Sequence, residues 1–139
     1  MSQSILLEGG CLCGYIRYRA TALPFATEYC HCRMCQKTSG APATTWMDFK
    51  VDQLKWLSQR PTEFESSKFV RRGFCPQCGS SISFRDVRHA DYLTVTINSL
   101  DSPQLIEPTR HIYTEDQMSW LTISDGHPRF KKGPHQNEE

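Results

Sequence analysis

The sequence has little of what marks a membrane-bound or nucleic-acid-binding protein. Its apolar run near the N-terminus, Ile5-Leu6-Leu7, is only three residues long and has no basic flank, which favours neither a signal peptide nor a membrane span. Sixteen Lys and Arg residues against fifteen Asp and Glu residues leave a formal net charge of +1, so no broad positive field is available for nucleic acid or an acidic membrane. We therefore expect a cytoplasmic protein with no nucleic-acid or membrane partner, whose ligand occupies a local site.

Length and composition also limit the architecture. The 139 residues amount to one ordinary domain, and 38% hydrophobic with 22% charged residues is the balance of a folded chain rather than a disordered one. We expect a single domain over residues 1–133, followed by a flexible polar tail at 134–139.

Short β-strands are the main predicted elements. Alternation of apolar and polar residues predicts them at 14–19, at 80–85, at 92–97 and, in part, at 50–57. The segment 92–97 is rich in β-branched residues and places Leu93, Val95 and Ile97 on one side. The fold class is therefore mostly β.

Helical structure is limited to short turns. One is predicted at 32–39 and a second at 115–120, where Thr114 could cap the first turn. The three tryptophans, Trp46, Trp56 and Trp120, are expected in the core.

Seven cysteines carry the clearest chemical signal. In the cytoplasm they would be kept reduced, and an odd number cannot all pair as disulfides within one chain. Residues i and i+2 of an extended segment point the same way, so Cys11 and Cys13 can face one metal ion, and the turn of the Cys75-x-x-Cys78 pair brings two sulfurs together. The leading hypothesis is zinc ligation by thiolates.

A division into four and three ligands fits the two ways in which proteins use zinc. A structural zinc takes four protein ligands, whereas a catalytic zinc takes three and keeps one position open. Cys30, Cys32 and Cys35 lie within six residues and can form a three-sulfur site locally, which leaves the other four cysteines for a closed site. Spacing favours this division over a zinc ribbon of Cys32, Cys35, Cys75 and Cys78, and over ordinary buried thiols, but leaves both alternatives open.

The order of the cysteine motifs also resembles a known family. The motifs are Gly-Gly-Cys-Leu-Cys-Gly at 9–14, Cys-His-Cys-Arg-Met-Cys at 30–35 and Cys-Pro-Gln-Cys-Gly at 75–79. With the segments 98–101, 111–113 and 120–130, they resemble the glutathione-dependent formaldehyde-activating enzymes, which share their domain with centromere protein V. The resemblance covers nearly the whole chain.

This resemblance implies a β-tent of antiparallel sheets pinned by a zinc knuckle, with two zinc ions per chain. It implies a structural zinc held by Cys11, Cys13, Cys75 and Cys78, and a catalytic zinc held by Cys30, Cys32 and Cys35. It also implies carbon–sulfur lyase-type chemistry, in which a thiol such as glutathione adds to formaldehyde or a related small electrophile, or the reverse.

The charge of the three-cysteine site suits that chemistry. Zinc lowers the pKa of a bound thiol, and an open position among three soft thiolates could accept a fourth from a cosubstrate. Three thiolates on zinc(II) leave a formal charge of −1, so the site is a poor Lewis acid for a carbonyl and better suited to presenting a thiolate.

Two other functions remain open. The protein could be a zinc-stabilised binding module in which a further ligand, such as His31, closes the three-cysteine site, or a thiol-based redox or metal sensor without catalysis. Strand alternation turns His31 away from a metal shared by Cys30 and Cys32, and His111 is a candidate for a hydrogen bond near a site.

Local cations would be needed to admit a substrate as anionic as glutathione. The candidates are Arg33 and Lys37, which lie beside the three cysteines in the sequence, and Arg71, Arg72 and Arg110 if the fold brings them to the site. Each is more simply interpreted as a surface charge, and none is assigned to the site.

Overall fold

Ten strands and one short helix organise the chain in this computed structural model, which describes residues 6–133. The strands are β1 (Leu7–Gly10), β2 (Arg17–Ala20), β3 (Ala26–Cys30), β4 (Thr44–Lys50), β5 (Leu54–Trp56), β6 (Thr62–Glu65), β7 (Val70–Phe74), β8 (Ser81–Asp86), β9 (Tyr92–Thr96) and β10 (His111–Ile112). The helix α1 spans Arg33–Ser39. The mostly β class predicted from the sequence is confirmed.

The strands form two sheets of different size. The smaller sheet has three strands in the order β1-β2-β5, and the larger has seven in the order β10-β3-β4-β9-β8-β7-β6. Pairing is antiparallel except between β10 and β3, which run parallel, so the expected antiparallel sheets are in fact mixed at this one edge. A parallel pair requires a long connection, and here the chain between β3 and β10 contains most of the large sheet.

One face of the large sheet packs on the small sheet and forms the main core. Along β4 and β9 alternate residues point to this side, among them Met47, Phe49, Leu93 and Val95. The small sheet contributes side chains such as the fully buried Tyr18. The opposite face of the large sheet remains available for a site.

Helix α1 begins and ends with recognisable caps. Cys32 is the N-cap residue in an extended conformation, and its sulfur accepts a hydrogen bond from the backbone N–H of Cys35. Gly40 ends the helix with φ +71° and donates its N–H to the carbonyl of Gln36. The helical turn predicted at 32–39 is thus confirmed, shifted by one residue at its start.

Other predicted elements differ from the structure in ways that have physical reasons. Residues 14–16 form the turn before β2, because Gly14 has φ +84° and the chain reverses there. The predicted strand at 50–57 is interrupted by a 3₁₀ turn at Val51–Gln53, where the chain passes from one sheet to the other. The strands predicted at 80–85 and 92–97 are confirmed within one residue at each end.

The short helical turn predicted at 115–120 is confirmed only at its start. A single 3₁₀ turn spans Thr114–Asp116, and its N-cap is Tyr113 in the left-handed region at φ +56°, with no capping bond from Thr114. Trp120, expected in the core, is 72% exposed. The predicted tail at 134–139 lies outside the described residues. Among those described, no helix has the length and apolar character needed to cross a membrane.

Candidate metal centres and the adjoining cavity

Four cysteines from the two sheets meet at one edge of the main core. Cys11 and Cys13 follow β1 of the small sheet, and Cys75 and Cys78 lie in the turn between β7 and β8 of the large sheet. Their sulfurs all lie within 4.8 Å of one another, and we call these residues the four-cysteine cluster. The cluster joins two hairpins that are far apart in the sequence.

The sulfur positions in this cluster fit a tetrahedral zinc ion. Zn–S bonds of about 2.3 Å place tetrahedral sulfurs about 3.8 Å apart. The observed separations are 3.6 Å between Cys11 and Cys13 and 3.8 Å between Cys13 and Cys75, and all four cysteines are free of disulfides. The donor set is therefore one that zinc prefers, and these two separations are close to those of a tetrahedral site.

Backbone amides support the sulfurs of the four-cysteine cluster. Ile16 N–H donates to Cys11 Sγ at 3.2 Å, and Gln77 N–H donates to Cys75 Sγ at 3.3 Å. Gly79 makes the tight turn after the last cysteine with φ +80°, a conformation that L side chains rarely adopt. The Ser80 hydroxyl, 3.1 Å from Cys78 Sγ, helps lower the pKa of that thiol to about 5.

The other three cysteines form a second group on the opposite face of the large sheet. Cys30 ends β3, Cys32 caps α1, and Cys35 lies in its first turn. The Sγ atoms of Cys30 and Cys35 are 3.4 Å apart, and all three sulfurs lie within 4.8 Å of one another. We call these residues the three-cysteine cluster. Cys32 and Cys35 are therefore grouped with Cys30 rather than with the Cys75 and Cys78 of a zinc ribbon.

The thiols of the three-cysteine cluster are poised to share negative charge. Side-chain hydrogen bonds with Cys30 and then with Cys32 lower the pKa of Cys35 to about 3, and the Arg72 guanidinium adds to this effect. The same proximity raises the pKa of Cys30 well above its usual range. Such a concentration of thiols in one place is a donor set for a soft or borderline metal ion such as zinc.

Among residues 6–133, no histidine or carboxylate joins this second group. His31, between two of the cysteines, turns the other way and places Nε2 2.9 Å from Nδ1 of His111. His111 Nε2 in turn lies 2.9 Å from Asp125 Oδ2. Both rings are fully buried, and burial lowers the pKa of His31 to about 4.

A cavity of about 520 Å³ adjoins the three-cysteine cluster. It lies over the face of the large sheet that points away from the main core, and its walls combine aromatic and aliphatic groups with a few charges. Side chains from six strands line it, including Cys30, Trp46, Thr94, Phe84 and Arg72. The three sulfurs therefore face a space large enough for a small-molecule ligand.

Buried carboxyl groups occupy another part of the cavity wall. Glu28 is only 3% exposed, and its Oε1 accepts a hydrogen bond from Arg110 at 2.7 Å. Burial, followed by the nearby charge of Asp48, raises the pKa of Glu28 to about 8. The Asp48 carboxylate accepts a hydrogen bond from the Thr94 hydroxyl at 2.6 Å.

The candidate cations occupy different positions in the fold. Arg33 and Lys37 are exposed on α1, Arg71 pairs with Glu65 at 3.0 Å, and Arg110 pairs with Glu28. Arg72 is buried and lines the cavity, which the exposed Arg33 also lines.

Sequence reasoning did not assign Arg72 or the His111–Asp125 pair to a site. Strand alternation distinguishes Arg71 from Arg72, but which face of β7 meets the cysteines depends on the tertiary fold.

Comparison with known proteins identifies the family to which the sequence is similar. A sequence model of the family described as "Glutathione-dependent formaldehyde-activating enzyme" matches residues 6–116. A Halomonas elongata protein named "Putative glutathione-dependent formaldehyde-activating enzyme" is 27% identical over 128 residues, which cover 86% of this chain and 82% of that protein. A Schizosaccharomyces pombe protein named as an uncharacterized lyase is 32% identical over 79 residues, covering 55% of this chain and 56% of that protein.

A solved structure shows the same fold at low sequence identity. The crystal structure of a Rhodobacter sphaeroides protein aligns with a TM-score of 0.56 and 15% identity, covering 88% of this chain and 98% of the other. Because the family match spans most of the chain and includes all seven cysteines, the chain belongs to the glutathione-dependent formaldehyde-activating enzyme family.

Proposed function

We propose that this protein is a zinc-dependent carbon–sulfur lyase-type enzyme. In this proposal a small thiol, such as glutathione, adds to formaldehyde or a related small electrophile, or leaves it, at the three-cysteine cluster. The four-cysteine cluster holds a structural zinc, and Cys30, Cys32 and Cys35 hold a catalytic zinc. The name of the Halomonas elongata relative supports the choice of glutathione and formaldehyde as the first compounds to test.

One observation carries the proposal: the two clusters differ in ligand number, and the one with three ligands lines the cavity. Four sulfurs close a tetrahedral site, whereas three leave a position for a ligand from outside. The described residues supply no fourth histidine or carboxylate donor to the three-cysteine cluster, and His31 is held by His111. A closed binding module is therefore less well supported than an open catalytic site.

The bound metal and the residues around it would have different parts in the reaction. Bound zinc would supply a low pKa for the incoming thiol, so that the thiol arrives as its nucleophilic thiolate. The three cysteines hold that position at the cavity wall, while Trp46 and Phe84 give the cavity an apolar wall beside it. The electrophile would then bind in the cavity beside this position.

Zinc content is the first test of this function. Reduced wild-type protein should contain two zinc ions per chain by elemental analysis, and Cys32→Ser should contain one. A wild type that binds glutathione by calorimetry, while Cys32→Ser does not, would support an exchangeable fourth position.

Catalysis needs its own measurement, because thiols add to formaldehyde without an enzyme. Exchange between glutathione, ¹³C-formaldehyde and their adduct can be followed by NMR, and wild type should exceed both buffer and Cys32→Ser. Two zinc ions without thiol binding would favour the closed module instead. Reversible loss of one zinc under mild oxidant, without rate enhancement, would favour the sensor.

A further inference from the structure

Arg72 is a buried charge without a carboxylate partner. It lies on β7 and is only 5% exposed, yet no carboxylate of the described residues lies within ion-pairing distance of it. Burying an unpaired guanidinium is strongly unfavourable, so its charge has to be compensated by another group. The compensating group identifies what this arginine does.

The anionic partner is the three-cysteine cluster. Arg72 Nη1 lies 3.5 Å from Cys35 Sγ and 3.4 Å from the Thr38 hydroxyl. Three thiolates around a zinc(II) ion carry a net charge of −1, which one guanidinium balances. A thiolate substrate in the fourth position would bring this charge to −2, so the positive charge then becomes more important.

The guanidinium is fixed in place by neutral groups. Its Nε donates to Ser66 Oγ at 3.1 Å, and its Cζ lies 5.2 Å from the centre of the Phe84 ring. The remaining nitrogen, Nη2, makes no hydrogen bond to a described residue. Arg72 lines both the main cavity and a neighbouring one of about 380 Å³, so it borders the space open to a ligand.

We propose that Arg72 is the counter-charge of the three-cysteine centre and also binds the electrophile's oxygen as negative charge develops on that oxygen. The first part needs only the cluster and its metal. The second part rests on the proposed function.

The electron balance of the addition explains why an oxygen-binding cation is needed. The thiolate's electron pair forms the new carbon–sulfur bond, and the π pair of the carbonyl moves to oxygen. The alkoxide then takes a proton from solvent water, which replaces the proton that the thiol lost to solvent earlier. Arg72 keeps its own proton throughout and stabilises the oxygen by charge and hydrogen bonding.

A matched pair of variants tests the counter-charge. Arg71 is adjacent on the same strand but pairs with Glu65 outside the cavity, so Arg71→Gln controls for loss of charge on β7. The zinc affinity of the three-cysteine cluster is measured by chelator competition. We expect about a 10- to 100-fold loss in Arg72→Gln, as for groups that support metal ligands, and none in Arg71→Gln. Arg72→Lys keeps the charge and should recover part of the loss.

Kinetics of the zinc-loaded variants test the oxygen-binding role. Arg72→Gln should lower kcat by about 10²- to 10³-fold with a smaller change in the KM for the thiol, and Arg72→Lys should be intermediate. Circular dichroism and melting must show both variants folded. Equal loss in Arg72→Gln and Arg71→Gln, or kcat and zinc affinity unchanged in Arg72→Gln, would overturn the proposal.

The two proposals fail in different ways. If wild type neither binds thiols nor accelerates the addition, the proposed function fails, and the oxygen-binding role of Arg72 fails with it. The chelator competition still decides whether Arg72 is the counter-charge, because it requires no substrate.

Discussion

The two cysteine clusters offer the same ligand type, the thiol, on the two faces of the large sheet, yet their surroundings in the fold differ. Cys11 and Cys75 of the four-cysteine cluster belong to the main core, alongside residues such as Tyr18 and Phe49. The three-cysteine cluster belongs to a small apolar group with Trp46 and Ile112, beside the cavity. The first cluster has two of its four cysteines in the packed core and Cys13 exposed at the surface, whereas the second borders space for a ligand.

The clusters also differ in how much chain they constrain. Cys13 and Cys75 are 62 residues apart in sequence and lie on different sheets. Cys30 and Cys35 are five residues apart, on one strand and the helix that follows it. Closing the longer loop without a cross-link costs more entropy, so a metal ion bound at the four-cysteine cluster would contribute more to folding. Ligand identity alone therefore does not distinguish a structural metal from a catalytic one.

The largest predicted effect is the loss of one structural ligand. Cys75 is fully buried, so Cys75→Ser removes a zinc ligand and places a hydroxyl in the core. Zinc binding at such a site supplies on the order of 10 kcal/mol, which exceeds what a small domain can spare. We expect the variant to be unfolded or insoluble, as judged by circular dichroism and melting. A folded Cys75→Ser protein retaining two zinc ions would contradict the assignment of this cluster.

Substituting one phenylalanine on each face of the large sheet compares how tightly the two faces are packed and leaves all seven cysteines in place. Phe49 is fully buried in the main core, whereas Phe84 is half-buried at the cavity wall. Phe49→Ala should lower the free energy of unfolding by about 3–5 kcal/mol, and Phe84→Ala by about half as much, since its ring already borders open space. Urea unfolding of zinc-loaded proteins measures both. Equal losses would mean that the cavity face is packed as tightly as the core.

Removing a ligand of the three-cysteine cluster should have a large effect on chemistry and a small one on stability. In Cys32→Ser the new hydroxyl can still cap α1, because serine is a good N-cap residue and the N–H of Cys35 remains to donate. We expect a folded protein with one zinc, a free energy of unfolding lowered by about 1 kcal/mol, and no thiol-dependent rate enhancement. Melting, elemental analysis and the NMR exchange assay provide the readouts. Unfolding as severe as in Cys75→Ser would remove the distinction between the clusters.

Local spacing favoured the composition of each cluster without excluding a zinc ribbon, because Cys30, Cys32 and Cys35 meet through local geometry whereas the other four cysteines join distant segments. The turn at 75–79 and the helical turn after Cys30 need few distant contacts. The strand at 92–97 was equally predictable, since both its faces are buried and its residues favour extended backbone.

Features that depend on distant contacts were not predictable from the sequence. The helical turn expected at 115–120 stops at Asp116, whose carbonyl accepts a hydrogen bond from Gln36 Nε2, 80 residues away in the sequence. The chain of His31, His111 and Asp125 joins positions up to 94 residues apart in number, through a parallel strand pair that no periodicity reveals. Arg71 and Arg72 lie on opposite faces of β7, and the sequence does not reveal which of these faces is turned toward the three-cysteine cluster.

The smallest predicted effect concerns a salt bridge near the four-cysteine cluster. Arg17 on β2 binds Asp101 through two hydrogen bonds of 2.8 and 2.6 Å, and this pair also joins distant parts of the chain. Its groups are 34% and 52% exposed, so water screens most of the attraction. Arg17→Gln should lower the free energy of unfolding by only about 0.2–1 kcal/mol, and less still in about 1 M NaCl. Urea unfolding at low and high salt measures this difference.

The matched control for that measurement is Arg19→Gln. Arg19 lies on the same strand and pairs through its side chain with Glu8 of β1, so Arg19→Gln removes an exposed ion pair that lies within the small sheet. Similar small losses in both variants would leave the metal as the main link between distant segments at this edge. A loss above about 2 kcal/mol in Arg17→Gln alone, persisting in high salt, would exceed what an exposed pair contributes. Such a loss would mean that the Arg17–Asp101 salt bridge, like the four-cysteine cluster, links distant segments of the chain and stabilises the fold.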